Sequence, residues 1–198
     1  MLVALFSPNH LSFVPRVMVA GVPGVGKSAA LASLRPRLTV PVVNFGSTML
    51  EVARASGYIG DRDGLRRASP NDAKKWREIA VHRLPDACII DGHLVVRRPD
   101  SFEVAFPPEM RATGYLEAIL VLEASAEQVL LRRAARAREV QDEDAHAIER
   151  HLIAARECAR GLAAESGVHV SFIDTTRGSA SDVADAIAAE LPPAFLRP

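Results

Sequence analysis

Gly21-Val-Pro-Gly-Val-Gly26-Lys27-Ser28 sets three glycines, a lysine and a hydroxyl within eight positions, a spacing suited to wrapping a chain of phosphates. It fits the pattern G-x4-G-K-[ST]. Its place matters as much as its letters, because it follows the apolar run Arg16 to Ala20 and opens an Ala- and Leu-rich stretch. Successive N–H groups of such a loop form a concave anion nest, and the helix that follows adds partial positive charge at the same point. Lys27 is expected to reach the β- and γ-phosphate oxygens, and the Ser28 hydroxyl to coordinate magnesium. A second candidate is Asp91, which ends the run Ala-Cys-Ile-Ile; beside a phosphate loop that position suits a magnesium-bound water, and elsewhere it would serve as a turn cap.

Arginines supply the counter-charge. Arg132, Arg133, Arg136 and Arg138 lie within seven residues, Asp142 to Asp144 break the pattern, and a long helical stretch with Arg150, His151 and Arg156 follows. Phosphoryl transfer spreads negative charge over equatorial oxygens, and guanidinium forks on a closing lid would neutralise it while excluding water. The competing interpretation is a solvated helix face with i,i+4 pairs. No Asn-Lys-x-Asp run marks a guanine switch, and no second motor signature is visible, so a small nucleotide or metabolite kinase is the expectation. The six histidines have no metal-like spacing, and His93, two residues after Asp91, would either contact phosphate or hold the sheet end. Trp76 is expected to pack in the core.

The elements that must position these groups are readable from period and punctuation. Short apolar runs at 16–20, 40–45, 87–91, 119–123 and 168–173 read as parallel strands covered on both faces. Helices are predicted after Ser69-Pro70 (71–83), after Ser125 with Gln128 three residues on (to about 137), and after Ser179 or Ser181 (to 191). Strand-then-helix alternation with a phosphate loop predicts a three-layer α/β/α fold of the P-loop NTPase kind, doubly wound around five parallel strands. Pro99 to Gly114 is the least regular stretch, expected to be an ordered or flexible excursion over the sheet edge. Residues 1–15 precede the first strand as an extension of open role, either an extra edge element or an upstream start, and 16–198 are expected to form one domain.

Composition bounds the rest. The chain has 198 residues, 48% of them hydrophobic, enough for one well-buried core. Its 24 basic and 24 acidic residues cancel, so no overall field draws it to nucleic acid or an anionic membrane. The uncharged runs at 1–15 and 38–50 are too short and too interrupted to span a bilayer, and the first lacks the basic opening of a secretory signal. Cys88 and Cys158 are too few for a disulfide framework, which makes a reducing cytoplasm the expected setting.

Several stretches together resemble the archaeal-type adenylate kinases. Beside the phosphate loop, residues 43–53 (Val-Asn-Phe-Gly-Ser-Thr-Met-Leu-Glu-Val-Ala) are similar to that family's run after the second strand, and Asp61-Arg-Asp-Gly-Leu-Arg66-Arg67 to its Asp-Arg-Asp-x-Met-Arg motif. Ile90-Asp-Gly-His93 resembles its Asp-Thr-His, and Arg136-Ala-Arg-Glu139 its lid end. The resemblance runs from about Val17 to Leu191. It implies reversible transfer from MgATP to AMP, a sheet in the order 2-3-1-4-5, a short arginine-rich lid at about 133–150 without zinc, and an acceptor region at about 44–85. Homotrimers occur in the family, and the resemblance leaves room for one here.

Residue by residue, the resemblance implies that Gly21, Val22, Pro23, Gly24, Val25, Gly26, Lys27, Ser28 and Ala29 hold the ATP phosphates. Asn44, Gly46, Arg62 and Arg66 would serve the acceptor nucleotide, and Arg133, Arg138 and Arg156 the lid and its return helix. Arg62 and Arg66 stand i,i+4, so on a helix both forks would face one anion, or would join Asp61 and Asp63 in a surface ion-pair network. The chain departs from the family at Ala29, where a threonine is usual, and after His93, where Val-Arg97-Arg98-Pro replaces a Lys-Thr-Pro stretch. Arg97 is the candidate substitute for that lysine. The alternatives to an AMP kinase are an adenylate-kinase-like ATPase acting as an assembly factor, and a kinase for CMP, UMP or another small acceptor.

Overall fold

The computed structural model describes residues 15–61, 64–98, 101–135 and 144–198, apart from the side chains of Arg66 and Arg67. Arg62 and Arg138 therefore lie outside the described residues, as does the extension apart from Pro15.

Five apolar runs form one parallel sheet: β1 (Arg16–Ala20), β2 (Val42–Asn44), β3 (Cys88–Gly92), β6 (Ala118–Glu123) and β7 (His169–Asp174). Between β3 and β6 an antiparallel hairpin is inserted, β4 (Val95–Arg97) and β5 (Phe102–Val104). The sheet order is β2-β3-β1-β6-β7. Counted over the sheet strands alone, this is the expected 2-3-1-4-5.

Strand alternation divides the core into two layers. Val17 and Val19 of β1, Ile89 of β3, and Leu120 and Leu122 of β6 pack on one face, while Met18, Ala20, Ile90, Ile119 and Val121 pack on the other. Helices α1 (Lys27–Leu34) and α6 (Ala180–Ala189) cover the first face, and α2 (Phe45–Ala55) and α3 (Pro70–Val81) the second. Helix α5 (Ala145–Ser166) contributes Leu152 and Ala155 to one layer and Ala159 and Leu162 to the other, and α4 (Ala126–Ala134) packs beside it. Trp76 of α3 is buried in the second layer against Tyr58, ring centroids 5.2 Å apart.

The predicted helix starts hold at their caps. Ser69, Ser125 and Ser179 each accept a hydrogen bond from the N–H three residues on, and Ser179 with Asp182 forms a reciprocal capping box. Over 101–114 the irregular proline-containing stretch contains β5 and a 3-10 turn at Pro108–Arg111. Its strand was hidden because Phe-Glu-Val is too short to display a period. Among the described residues no helix is long and apolar enough to cross a membrane.

Candidate phosphoryl-transfer site

Parallel strands place their carboxyl ends along one edge, and there the loop after β1 meets the ends of β3, β6 and β7. The loop must bend sharply to turn a buried strand into α1. Gly24 and Gly26 do so in left-handed conformations, φ +89° and +108°, and a Cβ at Gly24 would stand 2.9 Å from Arg133 Cγ. Gly26 also begins α1 without any side-chain cap, so the first-turn amides are left to the backbone and to whatever anion arrives.

Lys27 lies in the first turn of α1 with only 9% of its side chain exposed, its Nζ 3.1 Å from Asp91 Oδ1. The approach is close enough for an ion pair but lacks the alignment of a hydrogen bond, and buried Oδ1 accepts none. The other carboxylate oxygen, Oδ2, accepts from Asn44 Nδ2 at 2.6 Å. Asn44 in turn caps α2, its Oδ1 taking the Ser47 N–H at 3.0 Å. One carboxylate thus ties the phosphate loop, through Lys27, to the start of α2. His93 Nδ1 stands 2.8 Å from the Gly21 carbonyl. A carbonyl only accepts, so Nδ1 carries the proton and the ring braces the mouth of the loop.

On the opposite side, α4 brings its arginines down on the loop. Arg133 Nε donates to Pro23 O at 2.8 Å. Arg132 donates through Nη1 to Val25 O at 2.9 Å and to Thr175 Oγ1 at 3.1 Å, and buried Thr175 itself donates to Val25 O. Arg156, projecting from α5, makes a two-pronged pair with Glu123 at 2.9 and 3.0 Å. That fork is occupied by the carboxylate at the end of β6.

Between α2, α3 and the hairpin opens a cleft lined by Phe45, Gly46, Met49, Leu65 and Ala73 on its apolar side, and by Arg77, Asp91, His93 and Arg98 on its polar side. Gly46 and Asp91 belong to it, and Asn44 supports it. Arg66 lies in the 3-10 turn Gly64–Arg67. Arg97 does not line the cleft: alternation along β4 turns Val96 and Arg98 toward it and Arg97 with Val95 toward the other face. The sequence reasoning singled out neither Glu123 nor Thr175. Glu123 ends β6 and Thr175 follows β7 directly, both on the loop's edge, so their position in βα units was the available clue.

Magnesium in such sites takes few protein ligands and keeps water and phosphate oxygens. Asp91 Oδ1, buried and accepting no hydrogen bond, and the Ser28 hydroxyl on the exposed side of α1 are hard oxygen donors that fit it. No group of three His, Cys, Asp or Glu converges among the described residues, and this kind of coordination needs none.

A glycine-rich loop feeding a helix, at the carboxyl edge of a parallel sheet with a cleft beside it, defines a P-loop phosphotransferase. Residues 20–149 match the family described as AAA domain. The adenylate kinase of Thermococcus onnurineus is 32% identical over 168 residues, covering 80% of this chain and 85% of that one. The adenylate kinase of Thermoplasma acidophilum is 27% identical over 183 residues, 88% and 100% of the two chains. The chain belongs to that AAA-domain family and to the archaeal-type adenylate kinase family. Two solved structures share the fold at low identity. The shikimate kinase of Acinetobacter baumannii, in complex with shikimate, superposes with TM-score 0.52 at 16% identity, over 89% of this chain and 92% of that one. That of Bacteroides thetaiotaomicron does so with TM-score 0.54 at 14% identity, over 89% and 99%. The protein is an ATP-dependent phosphotransferase of the nucleoside monophosphate kinase kind.

Proposed function

We propose that this protein transfers the γ-phosphoryl group of MgATP to AMP, in preference to other monophosphates, and forms two ADP. The observation that carries the proposal is the buried Lys27–Asp91–Asn44 chain, which joins the phosphate loop to a cleft whose far wall is apolar and whose near wall is cationic. The likeness to curated adenylate kinases supports AMP as acceptor.

In this mechanism Gly21 to Ala29 hold the ATP phosphates and Lys27 turns from Asp91 to the β- and γ-oxygens. Ser28 and, through water, Asp91 would hold magnesium, whose charge offsets that of the phosphates. The acceptor occupies the region at about 44–85, with its phosphate at the polar end of the cleft. An oxygen of the acceptor phosphate attacks the γ-phosphorus as the bond to the β-bridging oxygen breaks. The nucleophile is already an oxyanion, so no general base is required. Arg133, Arg138 and Arg156 belong to the lid at about 133–150 and its return helix; Arg156 exchanges Glu123 for phosphate as the site closes and water leaves.

ADP formation from MgATP with AMP, CMP, UMP, GMP or no acceptor tests this directly. AMP-selective production is expected. Preference for a pyrimidine monophosphate would reassign the acceptor, and hydrolysis independent of every acceptor would replace transfer with an assembly-type ATPase.

A further inference from the structure

The hairpin that follows β3 carries a carboxylate that touches two arginines of the cleft wall. Arg77 reaches from α3: its Nε donates to Ala73 O at 3.1 Å, its Nη1 to Val104 O at 3.0 Å, and its Nη2 to Glu103 Oε1. Arg98, just beyond β4, donates through Nε to Glu103 Oε2 at 2.7 Å and through Nη2 to the same oxygen. Each oxygen of Glu103 thus holds a different guanidinium, one from α3 and one from just beyond β4.

The bridge has two sides. Arg77 and Arg98 both line the cleft that adjoins Asp91 and His93. Glu103 does not; with Arg77 it lines a separate outer cavity beside Pro107 and Pro108. Pairing in the hairpin sets Val96 opposite Glu103, so Val96, Arg98 and Glu103 share the face turned to α3, while Phe102 packs on His151 of α5. The carboxylate therefore meets the guanidiniums from outside the cleft. A planar fork seated in this way loses less conformational freedom when it meets a phosphate than a long, mobile side chain would.

We propose that Glu103 is a positioning residue for the acceptor phosphate: it clamps Arg98 and Arg77 from behind and holds them in the cleft wall as the seat of that anion. This rests on the acceptor reading of the cleft given above. Burial alone would raise the Glu103 pKa, yet the hydrogen bonds and charges of Arg77 and Arg98 hold it below the ordinary carboxylate value, so the clamp is ionised at neutral pH.

The test compares AMP and adenosine binding by calorimetry, alongside initial rates, for wild type, Glu103→Ala, Glu103→Gln, Arg98→Ala and the double variant Glu103→Ala/Arg98→Ala. Glu103→Ala is expected to weaken AMP binding by about tenfold, leave adenosine binding within about twofold, and raise the KM for AMP without a matching rise for ATP. Glu103→Gln, which keeps the shape but not the charge, should fall between. In the Arg98→Ala background, removing Glu103 should add less than about threefold, because Arg77 keeps its hydrogen bonds to Ala73 O and Val104 O without the carboxylate. Equal loss of AMP and adenosine, equal rises in both KM values, or full additivity in the double variant would overturn the proposal, as would wild-type protein that binds AMP no better than adenosine. Wild type that binds AMP and transfers nothing to it would instead overturn the proposed activity while leaving the clamp supported by the binding ratios.

Discussion

Lys27→Met separates the contribution of an ion pair to stability from that of the loop to transfer. Lys27 pairs with Asp91 at 3.1 Å, with side-chain exposures of 9% and 12%. The substitution keeps the apolar stem in place and removes the charge, which leaves a buried carboxylate whose hydrogen bond among the described residues is the one from Asn44. Removing one member of a buried pair costs about 3 to 5 kcal/mol, and the neighbouring open cleft favours the lower end. For a chain of this size each kcal/mol lowers the midpoint by about 2 to 4 °C, so Lys27→Met should melt about 6 to 12 °C below wild type. It still folds, since domains have about 5 to 15 kcal/mol in hand. Lys27→Met/Asp91→Asn should recover most of that loss, because the remaining amide oxygen still accepts from Asn44 and no charge is stranded. Neither variant should recover transfer, expected to fall by a factor of about 100 to 1,000 with the loss of a phosphate donor. Thermal unfolding by circular dichroism and a coupled ADP assay read the two effects separately. Wild-type melting of Lys27→Met, or a double variant no more stable than the single one, would refute the ion-pair reasoning. Retained turnover would refute the role of the loop.

Gly24→Ala should raise the KM for ATP and lower the melting temperature, because its left-handed backbone disfavours a Cβ by roughly 1 to 2 kcal/mol and that Cβ would press on Arg133, itself tethered to Pro23. Ser179→Ala should cost about 1 kcal/mol as a lost cap. Asp182→Asn should flatten the acid limb of the stability curve, whereas Ser179→Ala should largely preserve it, because the main-chain N–H of Ser179 is the stronger bond to that carboxylate. Ser179 hydrogen bonds hold the Asp182 carboxyl below its ordinary value of 3.8, a contribution present above that value and lost as the pH falls through the lowered one, as urea unfolding against pH will show. Burial pushes the Cys88 thiol up to about 11 and also raises that of Cys158. Iodoacetamide at about pH 8 should therefore leave both thiols unmodified in the folded protein and alkylate both in denaturant, read by mass spectrometry.

What the sequence determined by itself is what neighbouring residues do to one another. The loop at 21–28 was legible because a phosphate nest is made by consecutive amides, with glycines where a side chain would collide. Ser69, Ser125 and Ser179 were legible as caps because each bonds an N–H only three residues away. The central strands β1, β3 and β6 were readable from their apolar runs, since a strand buried on both faces has no polar side to show, whereas the expected two-sided cover fails at the edge strands β2 and β7, which are half-buried or partly exposed. Tertiary structure decided the matters that depend on which distant groups meet. Glu123 and Arg156 are 33 residues apart and Arg77 and Glu103 are 26 apart, so nothing local announces either pair. That Arg98, and not the Arg97 singled out from the sequence, lines the cleft turned on the face of a three-residue strand, too short to reveal its phase until pairing with β5 established it. Lys27 shows both levels at once. Its expected role at a phosphate was readable in the loop, but its partner Asp91 came within reach only when β3 was laid beside β1, aligning the carboxyl ends of two strands that lie far apart in the chain.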